Sequence, residues 1–158
     1  MNTTRGLDAR IGQQMGEIAL LVARAEEQLK KGERAGDDAY MDACALNLQG
    51  FYTGIEHIFE SIARELDGDV PESPNWHMDL LRQMSARIDG VRPPVLTVRT
   101  RDCLDQYRAF RHVVRNVYSF SLDPSRVREL VERLRVCYER VTTDLEGFIQ
   151  FLRELDRA

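Results

Sequence analysis

Arg108, Arg111, His112, Arg115, Asn116 and Tyr118 crowd into residues 108–118 of this 158-residue chain. Side chains of these types suit chemistry on a phosphodiester. Without a metal, that chemistry needs cations around the phosphate, a group that takes the 2′-hydroxyl proton and one that protonates the leaving oxygen. The arginine fork matches phosphate oxygens. A histidine titrates near neutrality and can carry a proton in either direction. Tyr118 can donate a hydrogen bond or stack on a base.

The spacing puts these groups on one side of a helix. At about 100° per residue from Arg111, Arg115 falls near 40°, Arg108 near 60°, His112 near 100°, Asn116 near 140° and Tyr118 near −20°. Phe110, Val113, Val114 and Val117 occupy roughly 200° to 300°, with Cys103 among them and Tyr107 at the edge. On this reading no carboxylate neutralises the polar face. Such a face is either the solvated side of a core helix or a surface built for an anion.

Other chemistries find little support. His57, His77 and His112 are not spaced as metal ligands, and no Gly-rich phosphate loop or Gly-x-Ser-x-Gly elbow is present. No metal or other cofactor is therefore expected. His57, in mid-helix, reads as a packed, hydrogen-bonded side chain. Cys44, Cys103 and Cys137 lie far apart in apolar patterns and read as buried thiols in a reducing compartment, without disulfide or metal spacing.

Net charge is −4, but its distribution is bipolar. Residues 92–140 hold eleven arginines against six acids, while the rest of the chain holds eleven cations against twenty acids. That asymmetry fits a basic cleft, and equally fits helices that pair with one another. Apolar residues make up 43% and charged residues 30%, as in an ordinary globular chain. The length predicts a single domain over residues 1–158. No apolar run reaches a membrane span and no secretory signal is expected, which makes the cytoplasm the default.

The elements that must carry these groups read as helices near 10–31, 38–66, 75–89, 100–119 and 124–155. Gly32 to Gly36 breaks the first, Asp37 or Asp38 caps the second, and Ser73-Pro74 opens the third, whose stripe includes Ile88. Thr100 caps the fourth, and Asp123-Pro124 opens the fifth. Gly50 and Gly54, four apart on the second helix, would let another helix come close. The fold class is all-α, a bundle of about five helices with antiparallel neighbours.

Arg111-His112-Val113-Val114-Arg115-Asn116-Val117-Tyr118 resembles the Arg-x4-His-x-Tyr motif of the HEPN superfamily, in particular the HepT-like toxins of HepT/MntA toxin–antitoxin pairs. Three further stretches resemble the same group: Phe51 to Glu60, Trp76 to Leu81, and Leu122-Asp123-Pro124. The likeness spans nearly the whole chain. It implies a helical homodimer whose motif helices meet at a cleft, and a metal-independent endoribonuclease. Arg111 would hold the scissile phosphate and the motif histidine would transfer the proton. Arg108, His112 and Arg115 would help bind RNA. The resemblance also implies a minimal nucleotidyltransferase antitoxin (MntA-like) that places AMP on the motif tyrosine, Tyr118.

Asn116 occupies the motif histidine position, and asparagine cannot titrate near pH 7. The expectation is a chain inactive or weakened at this point. Three accounts stay open: an engineered inactivating exchange, a natural non-catalytic member, or transfer of the proton role to His112. Two other functional classes stay open beside the nuclease. One is an RNA- or protein-binding helical dimer; the other is a bundle that scaffolds an assembly, its arginine face neutralised by a partner's acids.

Overall fold

The computed structural model describes residues 5–118 and 121–158. They form α1 (Leu7–Ala35), α2 (Ala39–Ile62), α3 (Trp76–Met84), α4 (Val98–Val114) and α5 (Pro124–Arg157), with one π-helical turn (Ala63–Asp67) closing α2. Five helices and no strand among the described residues make this an all-α bundle.

Contacts between α1 and α2 are antiparallel and close. A Cβ on Gly54 would stand 2.9 Å from Ile18 Cγ1, and one on Gly50 3.3 Å from Leu21 Cδ1. The two glycines thus serve the close approach that their spacing suggests. Gly32, by contrast, does not break α1. A Cβ there would stand 2.8 Å from Tyr40 Cβ, so Gly32 lets α2 begin against α1. The break falls at Gly36, whose φ of 61° makes the left-handed C-cap and returns its N–H to Gly32 O.

Helix α3 is shorter than its apolar stripe predicts, ending at Met84 and not near 89. Arg92 is the cause. Its guanidinium is fully buried and collects the carbonyls of Gln83, Ala86 and Pro93 while pairing with buried Asp67 at 2.6 Å. Carbonyls taken in this way no longer need a continuing helix. Ile88 leaves the stripe and bridges to Arg92 in a turn containing Gly90 at φ 77°.

Helix α4 starts at Val98, two residues before the expected cap. Thr97, not Thr100, accepts from the Thr100 N–H, and Asp144 of α5 holds the Thr97 N–H at 2.9 Å. Helix α5 opens as its sequence indicates, with Asp123 accepting from Ser125 N at 3.0 Å and Pro124 at the first position. The contacts Thr97–Asp144 and Tyr107 Oη to Leu130 O at 2.7 Å run in opposite senses along α4 and α5, so these two are antiparallel. Phe51 meets the Tyr107 ring edge-on at 5.4 Å, joining α2 to α4 in the core.

Candidate functional site

Helix α4 also ends early, at Val114 and not near 119. Asn116 supplies the reason. In a continuing helix His112 O would accept the Asn116 backbone N–H. Here the Asn116 side-chain Nδ2 donates to His112 O at 2.7 Å, and the backbone N–H turns to Val113 O at 3.0 Å. Ser119, within the range expected to be helical, lies outside the described residues. The helical wheel therefore holds through Val114 and does not place Asn116 or Tyr118.

Two groups of side chains result. His112, Arg115, Asn116 and Tyr118 are exposed around the end of α4, Tyr118 at 74%. Arg115 reaches no carboxylate among the described residues. Arg111 instead is buried, 6% exposed. Its Nη2 donates to Glu56 Oε1 at 2.8 Å and Oε2 at 3.0 Å, its Nη1 donates to Thr53 Oγ1 at 3.2 Å, and its guanidinium lies 5.0 Å from the Tyr52 ring centre. The Arg111 fork thus points into the protein, toward α2.

Half-buried His77, at the start of α3, completes the buried cluster. Its Nδ1 lies 2.7 Å from Glu56 Oε2 and 2.8 Å from Arg111 Nη2. An arginine can only donate, and one nitrogen cannot both give and receive on the same lone position. With a proton on Nδ1 the ring donates to Glu56, and without one Nδ1 accepts from Arg111 Nη2. The imidazole is stacked on Trp76, centroids 3.6 Å apart. Glu56, 3% exposed, is therefore the anion that two cation-forming side chains share. Tyr52 sits beneath with its hydroxyl buried and without a hydrogen-bond partner among the described residues, and burial, then the nearby Glu56 charge, push that phenol well above the usual range.

Several expectations need correction. The polar side of α4 is not free of acids: Asp105 pairs with Arg108 at 2.6 Å, leaving that arginine side chain mostly buried. Of the eleven arginines in residues 92–140, eight reach a carboxylate of the protein itself, including Arg92–Asp67, Arg111–Glu56 and Arg135–Glu26. Four of them, Arg92, Arg111, Arg128 and Arg135, pair with acids outside that segment, which offsets most of its excess positive charge. His57 is exposed, not packed; the buried polar residue of that turn is its neighbour Glu56. Cys103 and Cys137, far apart in sequence, line one cavity between α4 and α5.

Glu56 and His77 escaped assignment as site residues, although both lie in the stretches that carry the family resemblance. A further signal for Glu56 is its register. It falls four residues after Tyr52 and three before Phe59, on the stripe that α2 buries, where a carboxylate demands a partner. The clefts flanking the end of α4 are lined by Val113, Val114, Val117 and Leu122. Among the described residues no group of three or more His, Cys, Asp or Glu side chains is disposed to hold a metal ion.

The chain is thus a helical bundle with a Glu56–Arg111–His77 cluster buried beside the end of α4. The HepT-like protein family model matches residues 43–152, from α2 through most of α5, and the chain belongs to that family. No curated protein and no solved structure matches it. No helix among the described residues is long and apolar enough to cross a membrane.

Proposed function

We propose that the protein is the toxin-type partner of a toxin–antitoxin pair, built as a metal-independent endoribonuclease and weakened by Asn116. The observation that carries this reading is the family match spanning the motif helix, with a buried Glu56–Arg111–His77 cluster beneath an exposed strip of His112, Arg115, Asn116 and Tyr118. RNA meets the strip first. Arg115, exposed and without a carboxylate partner among the described residues, holds a phosphate, and His112 lies one position beyond the buried Arg111. Arg111 acts as a positioning residue in this state, fixing Glu56 and through it the His77 ring.

Cleavage would run by attack of a 2′-oxygen on phosphorus and departure of the 5′-oxygen, so one proton must be removed and another supplied. Asn116 can do neither, and its amide is engaged with the His112 carbonyl. That engagement favours a second reading, in which a non-catalytic helical homodimer binds RNA or protein through the same strip. The homodimer would bring two α4 ends together over the apolar Val113 and Val117, which are 51% and 40% exposed.

Antitoxin action fits Tyr118. A minimal nucleotidyltransferase could reach a side chain so exposed, and AMP there would set an anion beside Arg115 and compete with RNA.

The test compares the chain with Asn116→His on a labelled RNA in the presence of a metal chelator. The exchange should speed cleavage by at least about 100-fold, the usual share of general acid–base catalysis, and make expression toxic without the antitoxin. Equal RNA binding with no cleavage by either form would leave the binding module as the function. Fast cleavage by the unaltered chain that disappears on His112→Ala would move the proton role to His112. Incubation with antitoxin and ATP should label Tyr118 by mass; a label elsewhere refutes that assignment.

A further inference from the structure

The two thiols that line one cavity between α4 and α5 have no part in the strip or in the buried cluster. Cys103 occupies the first half of α4 and Cys137 the facing turn of α5, and both line an open cavity of about 300 Å³ with Gln106, Tyr107, Arg133 and Arg140. Cys103 is half-buried and donates to Thr100 O at 3.1 Å; Cys137 is buried. Cys44, fully buried, donates to Ala25 O at 3.6 Å on the far side of α2.

We propose that Cys103 and Cys137 form an oxidant-reactive site for small hydroperoxides, with Cys103 as the attacking sulfur and Cys137 as the resolving one. The Cys103 thiolate attacks the outer oxygen of the hydroperoxide; the S–O bond forms, the O–O bond breaks, and the leaving alkoxide takes the Cys103 proton as an alcohol (water, for hydrogen peroxide). Cys137 then attacks the sulfenic sulfur; the S–S bond forms, and hydroxide leaves with the Cys137 proton as water. Two sulfurs lose two electrons to the peroxide, and a disulfide ties α4 to α5.

The surroundings assign these roles. The neighbouring Cys137 thiol lowers the Cys103 pKa, with the Arg140 guanidinium acting in the same direction, while burial and Asp144 oppose them. Cys137 is held protonated by the neighbouring Cys103 and by burial. Burial alone pushes Cys44 up to about 11, so little of it is thiolate at neutral pH. The cavity gives a small oxidant access to Cys103, and the adjacent thiol is what turns a sulfenic acid into a disulfide before further oxidation.

The experiment treats the reduced full-length chain with hydrogen peroxide near stoichiometry and maps the peptides by mass. The expected product is a Cys103–Cys137 cross-link with the loss of two hydrogens, formed at least about tenfold faster than any change at Cys44. Cys137→Ser should instead accumulate a sulfenic acid at Cys103 that a dimedone probe captures, and Cys103→Ser should abolish both products while retaining its helical signal. The unaltered chain decides the matter even if a variant fails to fold. Oxidation of Cys44 at a similar rate, or oxidation of Cys103 to sulfinic acid without cross-linking, would overturn the proposal.

Discussion

Replacing Arg111 by methionine tests whether its place is structural before any question of RNA arises. The exchange keeps much of the stem and removes the charge, leaving Glu56 buried with only His77 and no guanidinium. The two side chains are 7% and 4% exposed, so solvent screens little of the interaction. Breaking a buried ion pair by removing one partner costs about 3–5 kcal/mol. That is a large share of the roughly 5–15 kcal/mol that holds a typical domain. At the usual urea dependence of about 1–3 kcal/mol per molar, the unfolding midpoint should fall by about 1–5 M. The companion variant Arg111→Met/Glu56→Leu removes both charges and should regain most of that loss, because no unpaired ion is left in the core. Equilibrium urea unfolding followed by circular dichroism measures all three. If Arg111→Met costs less than about 1 kcal/mol, or if the double variant is no more stable than the single, the inward fork is not the working conformation. The same arithmetic shows why loss of RNA binding in an Arg111 variant does not identify a phosphate contact. Arg115, exposed at the end of α4, is the cleaner probe: Arg115→Ala should weaken RNA binding and lower its salt dependence by about one counterion without changing stability.

Gly54→Ala should destabilise the chain by about 1–3 kcal/mol, since its Cβ would meet Ile18 Cγ1 at 2.9 Å, whereas Gly16→Ala, with open space at that position, should stabilise it by about 0.4–1 kcal/mol; thermal unfolding of the pair separates the two effects. Glu65 has its folded pKa depressed by the Arg10 hydrogen bond, so its contribution to stability is present above the unfolded carboxylate value and is lost as pH falls through the depressed one. Arg10→Gln should therefore flatten the dependence of the melting temperature on pH below about 4.3, and an unchanged slope would rule the pair out as its source.

Periodicity alone determined most of the helical layout. The spacing of Ile11, Met15, Ile18 and Val22, and of Val127, Leu130, Val131 and Leu134, marks buried stripes that need no knowledge of the partner helix. The Asp123-Pro124 start and the glycine contacts of α2 were legible for the same local reason. The motif residues were legible as a group at the end of α4, because their crowding is a property of adjacent positions. Tertiary structure decided what each of them faces. Arg111 reads as solvated on a wheel, yet Glu56, 55 positions earlier, draws it into the protein and brings His77 with it. Arg92 stops α3 through carbonyls that no pattern in α3 announces, and Cys103 shares a cavity with Cys137 only because α4 and α5 run antiparallel. A helical period specifies which side of a segment avoids water; the charge or thiol waiting on the neighbouring segment depends on how the segments are packed.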